Sequence, residues 1–481
     1  MISHDLMAPI MFGGLIVFLL IGYPAAFSLG AVGLFFSFIG IELGFFQPTF
    51  LQALPDRVFG ILSNDLLLSI PFFTFMGAIL EKCGLAEDML EGLGQLFGPI
   101  RGGLAYAVII VGAILGAITG TVAASVIAMG LISLPIMLRY GYNPRVATGV
   151  IAASGTITQL IPPSLVLIVL ADQLGKSVGD MYAGAIGPSI IQVVLFCLFI
   201  FFLSIFRPQD VPALPPEARP KIDWKLFKRI LWGIVPSIAL IFLVLGTILM
   251  GLATPTEGGA MGSVGALVLA AMNKRLEKPL VWDAMTSTMR INAMVIFILI
   301  GSTVFGLAFR GVDGDLWIEH LLSSLPGGQV GFLIVVNLFV FFLAFFLDYF
   351  EIAFIIIPLL APVAEKLGID LIWFGVLLGA NMQTSFMHPP FGFALFYLRG
   401  VAPKSLKSSD IYYGALPWVG LQLILVAIVI FIPESVTYFV DKPTATIDTN
   451  ATSIDPLEGV QQNEITVDSS SEIERQLREN K

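Results

Sequence analysis

The chain has 481 residues, 57% of them hydrophobic and 12% charged, and a formal net charge of −9. A soluble domain carries about 25% charged residues, so this composition excludes a soluble protein. The sequence has no basic tract of the kind that binds nucleic acid. Its two cysteines, Cys83 and Cys197, exclude a disulfide framework or a cysteine metal cluster. Apolar runs of about 20 residues match the length of a membrane-crossing helix, so we predict an all-α polytopic protein embedded in the lipid bilayer.

The first predicted elements are two closely linked spans, 7–22 and 24–46, within an N-terminal scaffold region of residues 1–58. A third span covers 61–80. The next segment, 86–97, is shorter and amphipathic, with acidic and amide side chains among its apolar ones. Such a segment is typical of a helix that lies in the membrane interface rather than one that crosses.

A charge-free stretch, 102–138, follows in the chain. It is too long for one crossing of about 20 residues, and its middle, 116–125, is rich in Gly, Thr and Ser. We predict a re-entrant hairpin that enters and leaves on one side, with one long tilted helix as the alternative. This hairpin and a later interrupted span, 146–171, belong to a first repeat that covers 59–206.

A proline-rich linker, 207–229, separates the two halves, and its six Lys and Arg residues predict a cytoplasmic position. A scaffold helix pair in 230–290 precedes a second repeat, 291–434. The second repeat again contains an amphipathic segment, a hairpin and an interrupted span, at 316–325, about 330–363 and 371–398. The polar, acidic composition of 435–481 predicts a disordered tail.

The two interrupted spans carry the strongest signal in the sequence. Each contains a Pro-Pro pair, Pro162-Pro163 and Pro389-Pro390, and the pairs lie 227 positions apart. Proline removes a donor and clashes with the preceding turn, and the freed carbonyls are tolerated in a membrane only beside a cavity or within protein. The same spacing relates Gly84 to Gly311, Pro135 to Pro362 and Gly141 to Gly368. Two halves with equivalent broken helices indicate a secondary transporter.

The distribution of basic residues predicts the orientation. If the loops holding most of them are cytoplasmic, the two hairpins enter the membrane from opposite sides, and the halves are inverted repeats. We therefore predict ten crossings and two hairpins, an arrangement suited to alternating access. The loops taken as cytoplasmic hold 17 of the 25 basic residues and are 82–101, 139–145, 207–229, 274–290 and 399–407.

The candidate site residues lie at the hairpin tips and the interrupted spans, where hydroxyls, amides and bare carbonyls are the hard oxygen ligands that Na⁺ accepts. The predicted sodium ligands are Thr119, Gly120, Thr121, Ser125, Ser154, Pro162, Asp348, Gly379, Thr384 and Pro389. The predicted substrate-binding residues are Ser164, Asn381, Gln383, Thr384, His388 and Gly392.

Several of these residues have a structural alternative. The Thr and Ser residues of the first hairpin could be small packing residues between helices, and Pro162-Pro163 could form a simple kink. Asp348, an intramembrane carboxylate, is an ion or proton site or a structural partner, and Glu351 shares that role or caps a helix. Glu257 fits a helix start better than a substrate contact. His388 titrates or is structural, and Arg310 faces solute or snorkels to the surface.

Four motifs resemble the large membrane subunit of TRAP (tripartite ATP-independent periplasmic) transporters, over about residues 10–435. These are Thr119-Gly-Thr-Val-Ala-Ala124, Ile161-Pro-Pro-Ser164, Thr254-Pro-Thr-Glu257 and Pro389-Pro-Phe-Gly392. The stretches Gln383–Phe386 and Ala394–Pro403 are similar to the branch of this family that is labelled mannitol/chloroaromatic. The sequence departs from the family at His388, where a Thr is usual, which bears on ion stoichiometry and pH dependence.

The resemblance implies an elevator-type importer in the bacterial cytoplasmic (inner) membrane that is driven by Na⁺, a driving ion and not a prosthetic group. It also implies a periplasmic substrate-binding protein that delivers a small organic anion, often a carboxylate, and a small four-helix membrane subunit. Two other readings of the residues are an ion channel or stand-alone carrier, and an intramembrane aspartyl protease built on Asp348 and the Gly311–Asp315 loop. The chain has no phosphate loop for direct use of ATP.

Overall fold

The computed structural model describes residues 4–219, 224–389 and 392–440, and all regular elements in these ranges are helical. The helices of the first half are α1 (His4–Ile21), α2 (Ala25–Glu42), α3 (Leu54–Leu62), α4 (Ser69–Lys82), α5 (Leu85–Leu96), α6 (Gly103–Thr119), α7 (Val122–Arg139), α8 (Pro144–Thr156), α9 (Leu165–Gln173) and α10 (Val178–Phe206).

The second half follows the same order after the linker, with a π-helical turn, Phe242–Gly246, between its first two helices. Its helices are α11 (Trp224–Ile241), α12 (Thr247–Leu249), α13 (Pro255–Met272), α14 (Lys278–Gly311), α15 (Gly314–Ser323), α16 (Gly328–Leu343), α17 (Tyr349–Ile355), α18 (Ile357–Lys366), α19 (Leu371–Met382), α20 (Phe393–Val401), α21 (Ser408–Phe431) and α22 (Glu434–Thr437).

The internal repeat is visible in the helix boundaries. Val122 and Tyr349, which begin the return arms α7 and α17, lie 227 positions apart, as do Pro144 and Leu371, which begin the interrupted spans. The amphipathic segments predicted at 86–97 and 316–325 appear as the short helices α5 and α15. The all-α fold with two repeats, each holding a hairpin and an interrupted helix, is therefore confirmed.

Helices of each half pack against helices of the other half. α2 packs along α14 of the other half, and α13 packs along α4. Both contacts depend on glycine, because a Cβ on Gly33 would lie 2.9 Å from the backbone of Phe305, and one on Gly262 would lie 2.5 Å from Met76 Sδ. Small residues allow helix backbones to approach closely in membranes, so the repeats are interlocked rather than side by side.

Both long apolar segments are hairpins. The first breaks at Gly120, whose φ of +61° suits glycine, and the backbone N–H of Leu104 donates to the Tyr142 hydroxyl at 3.3 Å across its open end. In the second, Gln329 Nε2 donates to the carbonyl of Leu367 at 2.8 Å, again joining the start of one arm to the end of the other. The alternative of a single tilted helix for 102–138 is therefore wrong.

Six helices of the described residues are each long and apolar enough to cross a membrane, and two bent helix pairs could raise that number to eight. One of the six is α7, the return arm of the first hairpin, which has 18 residues and is therefore about 27 Å long. The ten predicted crossings leave out α7, which they treat as a hairpin arm. They consist of the other five of these helices together with α1, α4, α13 and the two interrupted spans. That number stays a prediction.

The predicted tail begins too early. The helix α22 continues past residue 435 and packs on α10, where a Cβ on Gly187 would lie 1.9 Å from the carbonyl oxygen of Ser435. Residues 435–440 therefore belong to the folded body, and 441–481 lie outside the described residues. Proline and a polar composition suggested a tail, but Val436 is fully buried.

Candidate functional site

The first hairpin is held against the first interrupted helix by two glycines on α6. A Cβ on Gly112 would lie 2.7 Å from Ser154 Cβ, and one on Gly116 would lie 3.0 Å from Thr158 Cα. The other arm of the hairpin contacts the same helix, because Val126 of α7 packs against Gly155 of α8 where a Cβ would otherwise lie. α8 thus lies in the groove between the two arms, and the hairpin tip is placed beside the break.

The tip of the first hairpin brings several predicted sodium ligands together. α6 ends at Thr119, Gly120 takes a left-handed conformation, and Thr121 is extended and begins α7 without a side-chain capping hydrogen bond. A Cβ on Gly120 would lie 3.6 Å from Leu165, the first residue of α9. The tip therefore lies at the start of the second segment of the broken helix, with Ser125 buried one turn further along α7.

The first break differs from the expected row of bare carbonyls. The Ser189 hydroxyl donates to the carbonyl of Leu160 at 3.1 Å, and the Ser164 hydroxyl donates to the carbonyl of Gln159 at 2.5 Å. Ser164 also accepts from the backbone N–H of Val166 and so caps α9. Ser164 thus has a structural role, and only part of the backbone around Pro162 is left for an ion.

The tip of the second hairpin carries the two carboxylates in a capping box. Asp348 accepts from the backbone N–H of Glu351 at 2.8 Å, and Glu351 accepts from the backbone N–H of Asp348 at 3.0 Å. Such reciprocal bonds satisfy two donors of a helix start. Glu351 is therefore a cap, one of the two roles considered for it, while Asp348 combines a cap with a half-buried position at the tip.

The second break is deeply buried. Asn381 donates to the carbonyl of Asn337 at 2.7 Å, which ties α19 to α16. The Thr384 hydroxyl donates to the carbonyl of Asn381, one turn back. A Cβ on Gly379 would lie 3.2 Å from Leu170, so this glycine packs against α9 of the other repeat. Pro389 is the last described residue of the break.

His388 links the second break to the second hairpin tip. Its ring stacks on Phe345 at a centroid distance of 4.2 Å and meets Phe341 edge-on at 4.4 Å. The carbonyl of His388 accepts from the backbone N–H of Gly392 at 2.6 Å. These two aromatic contacts help to hold the buried side chain in place.

One pair of repeat-equivalent residues stands out at the two breaks. Ser154 and Asn381 lie 227 positions apart, and both side chains are at most 1% exposed. The Ser154 hydroxyl and the Asn381 amide oxygen each lack a hydrogen-bond partner within the described part of the chain. A buried oxygen without a donor costs free energy, and a bound cation would remove that cost.

Two glutamines that the sequence reading passed over tie the repeats together at the same level. Gln192 of α10 donates to Gln383 Oε1 at 2.6 Å, and Gln422 of α21 donates to Thr156 Oγ1 at 2.9 Å. Thr156 and Gln383 are again 227 positions apart. The available signal was an amide inside an otherwise apolar span, a feature that points to function or specific pairing.

The polar cavity of the described structure lies away from these residues. It has a volume of about 520 Å³ between the scaffold helices α3 and α14 on one side and α9, α17 and α18 on the other. None of the predicted site residues lines it. Its polar lining consists of Arg57, Asn64, Asp172, Gln173, Ser302, Thr303, Arg310 and Asp315. Arg310 is exposed and lines this cavity, while its contact with a solute stays a prediction.

The tripartite ATP-independent periplasmic transporter, DctM component, is the family whose model matches this chain, over residues 12–435. The chain belongs to the DctM family. It is therefore the large membrane component of a TRAP transporter, a multi-pass protein of the bacterial inner membrane and not an enzyme, which sets aside the protease and channel readings.

Characterised relatives cover most of the chain. It is 28% identical to the C4-dicarboxylate TRAP transporter large permease DctM of Vibrio cholerae, over 86% of this chain and 93% of that protein. The Rhodobacter capsulatus protein of the same name is 29% identical over 89% and 97%. The sialic acid TRAP transporter permease SiaT of Haemophilus influenzae is 23% identical over 88% of this chain and 66% of its own length.

A solved structure shares the fold. The YdaH transporter of Alcanivorax borkumensis aligns with a TM-score of 0.56 and 16% sequence identity, over 79% of this chain and 86% of that one. At this identity the likeness concerns the fold alone, and it places the DctM-family architecture of this chain among those of known transporters.

Proposed function

We propose that this chain is the large subunit of a Na⁺-coupled importer of an organic anion. The observation that carries the proposal is a pair of buried oxygens, those of Ser154 and Asn381, which have no hydrogen-bond partner among the described residues and lie at the breaks of the two interrupted helices. In the first repeat a hairpin tip lies at that break, and in the second the break is joined to the hairpin tip through His388. Oxygen ligands at half-helix ends are the arrangement with which secondary transporters hold Na⁺.

The two repeats would hold the cation differently. In the first, the ligands are neutral, namely the Thr121 hydroxyl, the Ser154 hydroxyl and backbone carbonyls around Gly120. In the second, the ligands would be Asp348, which supplies a formal negative charge, together with Asn381 and Thr384. The anionic substrate would bind beside these sites, at Gln383, His388 and the residues that follow, so that cation and anion stabilise each other's binding.

Movement between outward and inward states would follow an elevator mechanism. The interlocked helices α2, α4, α13 and α14 form the scaffold, and the hairpins with their broken helices form the moving part. Two hydrogen bonds cross this boundary, from Asn64 to Asp172 at 2.7 Å and from Ser302 to the carbonyl of Phe354 at 2.5 Å. Sliding by one helical turn or more would break both bonds.

The substrate class and the partners are supported by the relatives. Their names specify C4-dicarboxylates, isethionate and sialic acid, all of which are organic anions. The isethionate permease is named DctMQ, and this chain covers 66% of it, which leaves room in that protein for the small four-helix membrane subunit. We infer the same subunit here as a separate chain, together with a periplasmic substrate-binding protein.

The test is reconstitution of this chain with its small subunit and binding protein in proteoliposomes. Uptake of labelled succinate, a sugar acid and an aromatic carboxylate is measured with an inward Na⁺ gradient, with a K⁺ gradient and without the binding protein. We expect accumulation of at least one anion only with Na⁺ and the binding protein. Accumulation that is equal under K⁺, or that does not need the binding protein, would contradict the proposal.

A further inference from the structure

Two guanidinium groups face the polar cavity described above. Arg57 comes from α3 and is half-buried, while Arg310 comes from the last turn of α14 and is exposed. Among the described residues neither forms an ion pair. Burial, and then the nearby Arg310, lower the pKa of Arg57, which indicates that the two positive charges act on each other.

The two carboxylates that face the same cavity, Asp172 and Asp315, form no ion pair with Arg57 or Arg310 among the described residues. Asp172 at the end of α9 is held by Asn64 at 2.7 Å and by Gln173 at 2.9 Å. Asp315 is exposed in the first turn of α15, where the helix N-terminus stabilises it. An anion that enters the cavity therefore meets two guanidinium groups that have no ion-pair partner in the described part of the chain, and their planar donors match a carboxylate or sulfonate.

The orientation predicted from the basic loops places this cavity on the periplasmic side, from which a delivered substrate would arrive. Its walls include the end of α9, the end of α14 and the return arm α17–α18. These ends lie opposite the basic loops, so the positive-inside distribution places them on the periplasmic side. The helix α9 begins just after the first break and ends at the wall of this cavity.

We propose that Arg57 and Arg310 together form an outer binding site for the acidic group of the incoming organic anion, where it is held after release by the binding protein and before it reaches the interrupted helices. This inference rests on the proposed function. It assigns the anion selectivity of the transporter in part to the scaffold, because Arg57 and Arg310 are scaffold residues.

The first test does not need transport. The full chain with its small subunit is placed in nanodiscs, and the rate of arginine modification by phenylglyoxal is followed residue by residue by mass spectrometry. The probes are succinate, benzoate and methanesulfonate, with neutral succinamide and with NaCl at matched ionic strength. We expect the acids to slow modification of Arg57 and Arg310 by about threefold or more, with no effect at Arg290, an exposed residue earlier on α14.

Equal protection by succinamide or NaCl, or equal protection at Arg290, would mean a non-specific effect and would overturn the inference.

The second test uses uptake by the variants Arg57→Gln, Arg310→Gln and their double mutant, with Arg290→Gln as the matched control. We expect the double mutant to raise the half-saturating concentration of the transported anion by about tenfold or more, with unchanged Na⁺ half-saturation. Asp315→Asn should lower the half-saturating concentration of the transported anion.

The two levels of the proposal fail separately. If the wild type accumulates an anion with Na⁺ but the double mutant behaves like Arg290→Gln, the outer site is wrong and the transporter function stands. If acids protect both arginines but no Na⁺-dependent uptake occurs, the outer site stands and the coupling ion is wrong.

Discussion

The first and second hairpins occupy equivalent positions in the two repeats but are built differently. On α6, Gly112 and Gly116 let the first hairpin pack directly on α8, and its tip is the neutral Gly120-Thr121. The positions 227 residues later are Phe339 and Leu343, so α16 cannot approach its partner as closely, and the return arm α17 packs on α14 and α9 instead. Asp348 takes the place of Thr121.

The difference shows that the repeat conserves backbone geometry while the side chains assign different tasks. A neutral site made by close backbone packing selects its cation mainly by size and ligand distance. A site with a carboxylate adds net charge, and its affinity for a cation is more sensitive to electrostatics. We expect mutations in the first repeat to act through packing and those in the second to act through charge.

The largest effect is expected from filling the glycine contact of the first hairpin. In Gly112→Val, the new side chain must displace Ser154, including its backbone oxygen 2.9 Å from the built Cβ, at a cost of about 2–3 kcal/mol. The midpoint of thermal unfolding in detergent measures the loss. Gly30→Val on α2 is the control, since a Cβ there meets nothing within 4 Å. Equal losses in both variants would refute the close packing.

Removal of the charge in the second hairpin should weaken Na⁺ coupling strongly. Asp348→Asn keeps a good helix cap but deletes the negative charge, so the Na⁺ concentration for half-maximal uptake should rise by about tenfold or more. Asp370→Asn is matched, because Asp370 caps α19 by accepting from Trp373 at 2.8 Å but lies outside the site. The same Na⁺ dependence in both variants would exclude Asp348 as a ligand.

A smaller effect is expected at the equivalent position of the first hairpin. Thr121→Ala removes one neutral oxygen, and the Na⁺ requirement should rise by about threefold to tenfold, while Thr121→Ser should retain most of the affinity. Thr286→Ala serves as the control because that hydroxyl donates to the carbonyl of Trp282 on exposed α14. An effect as large as that of Asp348→Asn would contradict the proposed division of roles.

The smallest change in Na⁺ dependence is expected at His388. His388→Thr removes the two ring contacts, worth about 0.5–1.5 kcal/mol each, and restores the hydroxyl usual in the family. We expect lower thermal stability and a Na⁺ requirement that falls by about threefold. His388→Ala should lose the same stability without that gain. If both variants transport equally well at low Na⁺, the hydroxyl is not a ligand.

Much of the fold follows from the sequence because the membrane restricts the choices. A span must be helical, long and apolar, so composition predicted the fold class, and the spacing of 227 between proline pairs predicted the repeat. Within each repeat the structure joins the hairpin to the break, since Gly120 lies beside Leu165 and His388 stacks on Phe345, while the ligand roles of the predicted site residues stay a prediction. The Thr254–Glu257 motif forms a capping box, as expected of a helix start.

Other features depended on which surfaces meet, and local sequence does not encode that. The glutamines Gln192 and Gln422 appear as isolated polar residues in apolar spans until the two halves interlock and place each beside a break.

The sequence alone determined that this chain is a helical membrane protein with two related halves, because hydrocarbon demands internally satisfied backbones and duplicated proline pairs stay in register. Only the tertiary structure decided that helices of each half pack against helices of the other half and that Arg57 and Arg310, far apart in the chain, face one cavity. The physical reason is that side-chain burial, glycine-mediated helix contacts and unpaired charges are properties of packed surfaces, which arise only when distant segments meet.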